Sequence, residues 1–473
     1  MTKQKIAFRG DFLFQICYTK KMSLSKVITR FPPSPTGFLH LGRARTALFN
    51  YIFAKQSKGE MVLRFEDTDS DRSKKEFEND MTECLSWLGI KYDVGPFWQS
   101  KRTDIYKKYL KKMIDDGFAY LSKEDPTEAD RAEGRTRTEV IRFKNPNKKI
   151  TFTDLIRGDI TFDTTDLKDF VIARSVNEPL YHLAVVVDDY EMGITHIIRG
   201  EDGISNTPRQ ILIQEAIGAG RPLYAHLPLI LAKDKSKLSG RHGAVSVKEY
   251  REKGYLPDAL INYLALLGWN PGTEQEIFSL GDLIREFKIE GINKAGAIFN
   301  DEKLQWTNKE YIRKIPLVEQ TKLLTKWAPG LISLNTETLT KLTPLVFERI
   351  SIFGEITQMF NDGEFDYLLS APTYAPEVLL WKGKSTTEEV SAYLSKSIEL
   401  LSSVSDQTFD RVVVKEAIWT YAESVGRGQL LWPMRYALSG REKSPDPFIL
   451  SELLGKTETL KRLTHARDLL LKK

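Results

Sequence analysis

Two separated stretches of this chain combine residue types that bind polyphosphates. The first, FLHLGRARTALF at 38–49, places His40 and Gly42 just before apolar residues at helical spacing. The second, KDKSKLSGRHGAVSV at 233–247, is a basic loop with no carboxylate after Asp234. Backbone N–H groups at a helix N-terminus and lysine side chains both attract phosphate. Both stretches therefore favour a phosphorylated ligand, although the loop alone is equally consistent with an exposed, solvated turn.

The elements around His40 must place it at the edge of a sheet. VITRF (27–31) is typical of a short strand, PPSPTG (32–37) of a rigid turn, and a helix is expected to start near 40–42. GEMVLRFEDTD then predicts a second strand that ends in acidic residues, Glu66 among them. Strand, turn, helix and strand in this order are the start of a parallel α/β unit, whose helix N-terminus suits a phosphate.

Composition excludes several classes of protein. With 473 residues, the chain is too long for one core. The composition, with 41% hydrophobic and 28% charged residues, is that of an ordinary globular protein. The net charge of +5 is compatible with nucleic-acid binding but does not require it. No apolar run reaches the ~18–20 residues of a membrane span. Two cysteines, Cys17 and Cys84, form no disulfide framework. We expect a cytoplasmic enzyme that does not contact a membrane.

Further blocks give the two stretches a family context. PPSPTGFLHLG (32–42) resembles the HIGH motif of class I aminoacyl-tRNA synthetases, in the glutamyl-tRNA synthetase form, and KLSGR (237–241) resembles the partner KMSKS loop. Blocks similar to the same family follow in its order: RFEDTD at 64–69, SWLGIKYDVGPFWQS at 86–100, YHLAVVVDDYEMGITHIIRGED at 181–202, SNTPRQ at 205–210, VSVKEYREKGYLPDALINYLALLGWNP at 245–271, KLQWTNKEYIR at 303–313 and LLWPMRYALSGREKSPDPF at 430–448. The chain thus resembles a bacterial-type glutamyl-tRNA synthetase from about residue 25 to its C-terminus.

The resemblance implies both a fold and a reaction. The fold is α/β, a class I Rossmann-type nucleotide-binding catalytic domain with a connective insertion, followed by an all-α anticodon-binding region. The reaction joins L-glutamate to ATP as glutamyl-AMP and passes the glutamyl group to the 3′-terminal adenosine of tRNA(Glu), with tRNA(Gln) left open. It also implies a monomer and Mg²⁺ on the phosphates, with no metal site built from the protein alone. Because the attacking carboxylate is already ionised, catalysis rests on positioning and on stabilisation of charge.

By the same resemblance, roles fall on particular residues. His40, Gly42, Lys237 and Arg241 would be catalytic and would bind ATP together with Thr36 and Ser239. Glutamate would be bound by Arg30, Ser34, Glu66, Tyr181 and Arg199, with the arginine fork of Arg30 on the side-chain carboxylate and Glu66 on the α-amino group. Each has an ordinary alternative: Arg30 as a surface charge at a strand end, Tyr181 as a core residue, and Arg199 as the ion-pair partner of Glu201 or Asp202.

Gly240 departs from the family pattern, which would place a second lysine there. Three hypotheses follow from its lost charge. Arg241 or Lys235 reaches the phosphates instead, Lys237 suffices with slower adenylation, or the site is impaired and the protein has another role. One positioned charge on a phosphoryl group is worth a few kcal/mol, so the hypotheses differ measurably.

The expected domain organisation begins with residues 1–24, a disordered or alternative-start extension, with a weak targeting peptide as the alternative. It continues with 25–103 and 193–236 as the catalytic domain, 104–192 as the acceptor-binding insertion, 237–318 as the basic loop and stem-contact domain, and 319–473 as the helical anticodon-binding region. The lysine-rich helix expected in the insertion suits tRNA binding or plain solvation equally. Zinc is not expected, because residues 104–192 hold no cysteine and only one histidine, His182. Basic residues near the C-terminus either track phosphates or are solvated: Lys461, Arg462, Arg467, Lys472 and Lys473.

Alternatives to this function remain at this point. A glutaminyl-tRNA synthetase would carry PEPNG and HIGH where this chain has PSPTG and HLG. A truncated paralogue that glutamylates a tRNA base would lack the region of about 160 residues that follows Arg313. A nucleotidyltransferase for a small metabolite would have no use for that region, and a non-catalytic tRNA-binding protein is favoured only if Gly240 disables the loop.

Overall fold

The computed structural model describes residues 26–69, 71–124, 139–239, 245–381 and 384–471. The chain forms two compact units, one ending at Thr307 and the other beginning at Asn308. The N-terminal extension 1–24, Gly240, Arg241, Lys472 and Lys473 lie outside the described residues, so predictions about them stay predictions. In the ranges described, no helix is long and apolar enough to cross a membrane.

The first unit mixes strands and helices. Its strands are β1 Ile28–Phe31, β2 Glu60–Phe65, β3 Val94–Trp98, β4 Ala119–Lys123, β5 Glu139–Phe143, β6 Lys149–Asp154, β7 Gly158–Asp163, β8 Phe170–Ser175, β9 Glu178–Pro179, β10 His196–Gly200, β11 Leu223–Leu227, β12 Ile230–Leu231 and β13 Ala297–Ile298. Its helices are α1 Leu41–Gln56, α2 Lys75–Trp87, α3 Thr103–Asp115, α4 Tyr181–Glu191, α5 Thr207–Ile217, α6 Val247–Glu252, α7 Pro257–Leu266, α8 Leu280–Glu286 and α9 Asp301–Ile312, the last of which crosses into the second unit.

Two sheets, one parallel and one mostly parallel, adjoin at the centre of the first unit. One has the strand order β1-β2-β3 and the other β10-β11-β6-β7, in which only β7 runs antiparallel. Thr195, just before β10, donates its backbone N–H to the carbonyl of Ile28 at the start of β1 (2.9 Å), so β1 and β10 are neighbours. A separate antiparallel sheet, β4-β5-β8-β9, belongs to the expected insertion. The parallel pairing of β1 with β2, with α1 between them in the chain, confirms the α/β unit predicted from the sequence.

Helix α1 shows why the first βα unit folds locally. His40 has an extended backbone and caps the helix, its Nδ1 accepting from the N–H of Arg43 (3.3 Å). The preceding N–H of Leu39 donates to Asp80 of α2 (2.8 Å), which holds the end of the turn. Leu41, Leu48 and Ile52 are fully buried beneath the sheets. The predicted helix start is therefore confirmed.

The second unit is helical throughout its described ranges, as predicted. After the end of α9 its helices are α10 Leu317–Trp327, α11 Thr336–Phe347, α12 Gly354–Asn361, α13 Asp366–Leu369, α14 Thr387–Ser402, α15 Arg411–Val425, α16 Arg427–Ser439 and α17 Pro447–Leu471. Gly455 interrupts α17 with a left-handed φ of 75°.

Arg462 corrects one expectation about the C-terminal basic residues. Its side chain is only 6% exposed and donates to the carbonyls of Tyr367 (2.8 Å) and Leu438 (2.7 Å). It cannot track a phosphate backbone, because its guanidinium ties helices of this unit together. Lys461 is 71% exposed and keeps both of the predicted alternatives.

Candidate active site

One cavity of about 600 Å³ in the first unit brings together most residues predicted for the site. Its wall comes from the turn after β1, the start of α1, the ends of β2 and β10, the start of α4, and the basic loop. The predicted residues that line it are Arg30, Ser34, His40, Gly42, Glu66, Tyr181, Arg199, Lys237 and Ser239. Thr36 lies in the same turn, its N–H bonded to Ser34 (2.9 Å), but is not part of the wall, and Arg241 lies outside the described residues.

Arg30, at the end of β1, is 1% exposed, so it is no surface charge. Its Nε–H lies 3.4 Å from both carboxylate oxygens of Asp189 in α4. Its Nη1 is buried without a hydrogen-bond partner among the described residues. An unpaired guanidinium nitrogen in a buried site is costly, and a carboxylate entering the cavity would satisfy it.

Glu66, immediately after β2, shares a buried ion network. Arg64 donates to Glu66 (3.3 Å) and to Asp189 (2.8 Å) and lies 3.6 Å from Asp188. Burial raises the pKa of Glu66 above its usual range, although Arg64 and Arg30 oppose that rise. Since Arg64 is divided among three carboxylates, a bound ammonium group would further stabilise the ionised form of Glu66.

Arg199, in β10, is held entirely by neutral groups. Its Nε donates to His226 Nε2 (3.1 Å), and its Nη1 donates to Gln210 (2.8 Å). Its Nη2 donates to the carbonyl of Gly203 (3.0 Å) and to Thr207 (2.8 Å). Burial is the main cause that lowers the pKa of Arg199.

The alternative in which Arg199 pairs with Glu201 or Asp202 is wrong for the described residues. Glu201 pairs with Arg157, and Asp202 lies 3.5 Å from Lys237. Among the described residues, no carboxylate is hydrogen-bonded to Arg199, so its positive charge is left to face the cavity.

The basic loop is anchored on both sides of its undescribed part. On one side Leu238 donates to the carbonyl of Ile230 (3.0 Å), in a hairpin that brings Lys237 to the cavity. On the other side Val245 accepts from the N–H of Leu41 (2.9 Å) at the start of α1. Lys235 sits in the hairpin turn with a φ of 63° and does not line the cavity. Of the two residues suggested to replace a lysine at position 240, Lys235 is therefore poorly placed.

Gly42 and Tyr181 have local reasons for their types and positions. A Cβ at position 42 would lie 3.1 Å from Cε1 of His40 and would press on the imidazole. Tyr181, the first residue of α4, is 39% exposed, so the core alternative for it is wrong. The side chain of His40 remains accessible to solvent, yet desolvation in the cavity and then the charges of Arg43 and Lys237 lower its pKa to about 4. Its imidazole is therefore neutral at pH 7.

The sequence analysis assigned no role to several residues that line the cavity. Of these, Arg43 could most readily have been found from the sequence. It follows His40 by three residues, the spacing that puts two side chains on one face of a helix start, and its Nη1 donates to the carbonyl of Ser34 (2.8 Å). Arg45 also lines the wall, but its guanidinium binds the carbonyls of Leu267 and Pro228 and has a structural role. Asp189 carried no signal apart from the acidic pair within YHLAVVVDDYE.

Comparison with known proteins agrees with this geometry. Residues 26–139 and 122–306 match the family described as tRNA synthetases class I (E and Q), catalytic domain, and residues 319–467 match an anticodon binding domain. Together these matches cover most of the chain. The chain belongs to the class I tRNA synthetases.

Individual relatives show which kind of class I tRNA synthetase this chain is. Glutamate–tRNA ligase 1 of Caldanaerobacter subterraneus subsp. tengcongensis is 40% identical, over 94% of this chain and 98% of that protein. The glutamate–tRNA ligase of Aquifex aeolicus is also 40% identical, over 94% and 99%. The crystal structure of a glutamate tRNA ligase from Elizabethkingia meningosepticum in complex with its amino acid is 34% identical and superimposes with a TM-score of 0.82 over 94% of this chain and 99% of that one. The chain is a member of the glutamate–tRNA ligases, which are aminoacyl-tRNA ligases that use ATP.

Proposed function

We propose that the cavity binds glutamate and ATP side by side, joins them as glutamyl-AMP and then transfers the glutamyl group to the 3′-terminal adenosine of tRNA(Glu). The observation that carries this proposal is the division of charge around one cavity. Arg30, Glu66 and Arg199, the inner cluster, are largely withdrawn from solvent, whereas His40, Arg43 and Lys237, the outer cluster, surround the start of α1 and the basic loop. The inner cluster suits an amino acid, and the outer cluster suits a triphosphate.

In the inner cluster, Nη1 of Arg30, which has no partner in the described ranges, receives the side-chain carboxylate of glutamate, with Arg199 as the second cation and Tyr181 and Ser34 beside it. Glu66 receives the α-ammonium group. Glutamine would turn its NH₂ toward the same guanidinium donors and leave them unpaired, the kind of mismatch that discriminates strongly.

In the outer cluster, His40 acts as a hydrogen-bond donor without a charge. Because its Nδ1 accepts from the N–H of Arg43, the neutral ring carries its proton on Nε2. This Nε2–H donates a hydrogen bond to a phosphate oxygen of ATP. Lys237 and Arg43 supply the positive charge, while Gly42 lets the nucleoside approach the backbone. Ser239 lies at the cavity wall beside Lys237.

Formation of glutamyl-AMP, the first of the two steps, needs no general base. An oxygen of the ionised α-carboxylate of glutamate attacks the α-phosphorus of ATP in line, a carboxyl O–P bond forms, and the bond from that phosphorus to the bridging oxygen of pyrophosphate breaks. The negative charge that moves to pyrophosphate is stabilised by the outer cluster. Catalysis by this chain is therefore positioning plus electrostatic stabilisation.

Mg²⁺ is proposed as an ion held chiefly by phosphate oxygens and water, which suits its preference for keeping waters. Asp202 lines the cavity beside Lys237 and is the residue we assign to hold it. When bound, the ion neutralises charge on the leaving pyrophosphate.

The remaining assignments rest on placement in the chain. We propose the acceptor-binding role for residues 104–192, the stem contact for 237–318 and anticodon reading for 319–473. In α3 the buried Tyr106, Leu110 and Met113 leave Lys107, Lys108 and Lys111 on the opposite side. A cytoplasmic monomer without zinc completes the proposal, and whether tRNA(Gln) is charged besides tRNA(Glu) is left to the test below.

Glutamate-dependent ATP–pyrophosphate exchange, with and without tRNA(Glu), tests this function. We expect exchange with glutamate and none with glutamine, together with esterification of tRNA(Glu). A chain that binds tRNA(Glu) but shows no exchange under any condition would contradict the proposal. Parallel charging of tRNA(Gln) decides whether the enzyme also accepts that tRNA.

A further inference from the structure

We propose that Asp154 and His226 are positioning residues that fix the guanidinium of Arg199 for glutamate. The three side chains form one hydrogen-bonded line, Asp154 to His226 to Arg199, which runs from the expected insertion to the cavity. The inference deepens the proposed function, because it rests on Arg199 contacting the amino acid. Neither Asp154 nor His226 lines the cavity.

The two positioning residues of this line are buried. His226 in β11 is 0% exposed and Asp154, the last residue of β6, is 1% exposed. Their side chains meet at 2.6 Å, between Nδ1 of His226 and a carboxylate oxygen of Asp154, and the same oxygen accepts the backbone N–H of His226 (3.0 Å). The parallel pairing of Tyr224 with Asp154 brings these strands together two residues before His226.

The charge state of Asp154 fixes the tautomer of His226. The other carboxylate oxygen of Asp154 accepts the N–H groups of Ile156 (3.0 Å) and Arg157 (2.9 Å). Burial opposes ionisation of Asp154, but the hydrogen bonds from His226 and these backbone groups hold its pKa below the usual range. Burial, although opposed by Asp154, lowers the pKa of His226, which is therefore a neutral ring at pH 7. An ionised carboxylate only accepts, so the imidazole proton must lie on Nδ1.

The lone pair left on Nε2 of His226 then determines how Arg199 is oriented. It accepts from Nε of Arg199 at 3.1 Å, while Gln210, Thr207 and Gly203 take three N–H groups of the two Nη atoms. Four of the five N–H groups of Arg199 thus have acceptors among the described residues. The fifth, on Nη1, is available to a carboxylate in the cavity. With the other tautomer, Nε2–H of His226 would face an N–H of Arg199 and push the guanidinium out of place.

Two matched substitutions of His226 separate the two halves of this line. In His226→Asn the amide occupies the place of Nδ1 and keeps a donor for Asp154, but the acceptor for Arg199 is lost. In His226→Gln the amide reaches the place of Nε2, and its oxygen restores that acceptor. In glutamate-dependent ATP–pyrophosphate exchange with tRNA(Glu), we expect His226→Asn to raise KM for glutamate about tenfold with KM for ATP unchanged. His226→Gln should return KM for glutamate to within about threefold of the natural chain. Equal effects of the two variants on KM for glutamate, or an equal rise in KM for ATP, would overturn the proposal.

A second measurement does not depend on turnover. In the natural chain labelled with ¹⁵N-histidine, the signal that His226→Gln removes should show a protonated Nδ1 and an unprotonated Nε2 at neutral pH. In Asp154→Asn, which changes no volume, the amide can turn its NH₂ toward Nδ1. The proton should then shift to Nε2, and KM for glutamate should rise as in His226→Asn. A proton on Nε2 in the natural chain overturns the proposal. Since this readout needs no exchange activity, a silent natural chain would contradict the proposed function and leave the tautomer result to decide the inference.

Discussion

Arg30 and Asp189 are 159 residues apart in the chain and meet in the core, with Nε of Arg30 3.4 Å from both carboxylate oxygens of Asp189. This contact aims the guanidinium and leaves its buried Nη1 without a partner among the described residues. Arg30→Lys keeps the charge but loses the planar fork, so KM for glutamate should rise about 100-fold, or about 3 kcal/mol. Steady-state exchange measures this. The matched control Arg221→Lys lies outside the cavity and should change neither KM.

The basic loop offers a test of charge at position 240. Lys237→Ala should lower kcat of the exchange reaction by about 100-fold, because one positioned charge on the phosphates is lost. Gly240→Lys should raise kcat by less than about tenfold if the natural loop already suffices. Activity that appears only in Gly240→Lys would mean that the natural loop is disabled and that the protein has a binding role.

Arg43 lines the cavity, and we assign it to binding of the triphosphate of ATP. Arg43→Ala should raise KM for ATP about tenfold with little change in KM for glutamate, and Arg43→Lys should lie between that variant and the natural chain. The competing view is that Arg43 only holds the turn through the carbonyl of Ser34 (2.8 Å). That view predicts instead an equal rise in both KM values. The exposed Arg285→Ala serves as a control for the loss of one positive charge.

His40 should impose no ionisation on the reaction near neutral pH. Its pKa is lowered to about 4, by desolvation first and then by Arg43 and Lys237, so the neutral donor form predominates above that pH and is lost only as the pH falls through it. The value of kcat/KM for ATP should therefore be flat between about pH 6 and 8. A fall of kcat/KM for ATP as the pH rises through about 6.5, absent in His40→Asn, would show instead that the protonated ring is the active form.

Gly203 is needed because Arg199 packs against it. A Cβ at this position would lie 2.5 Å from Nε of Arg199, whose guanidinium is pinned by four hydrogen bonds. Gly203→Ala should displace Arg199 and raise KM for glutamate about tenfold, and the overpacking should lower stability by about 1–3 kcal/mol. Gly281→Ala is the matched control, since its Cβ would meet only ordinary contact at 3.7 Å. Unchanged KM for glutamate in Gly203→Ala would remove Arg199 from the amino-acid site.

Local signals in the sequence were sufficient for the first βα unit and for the helices of the second unit. Strand β1, the turn, the cap at His40 and helix α1 depend on neighbours a few residues apart, and helical periodicity is likewise a short-range property. The family resemblance then placed most of the cavity residues. The environment of each residue was beyond such signals: Arg462 was expected at a solvated or phosphate-facing surface, yet it is buried among backbone carbonyls.

The sequence by itself determined which chemical groups are present and in what order they follow one another: a helix-capping histidine, a glycine turn, a basic loop and strand-end charges. Only the tertiary structure decided which partner each charged side chain has. Arg30 pairs with Asp189, and Arg64 interacts with three carboxylates. Arg199 donates to His226, whose ring is hydrogen-bonded to Asp154, 72 residues before it in the chain. The physical reason is that charge pairing and desolvation act through space, so they are set by how distant strands align and not by spacing along the chain.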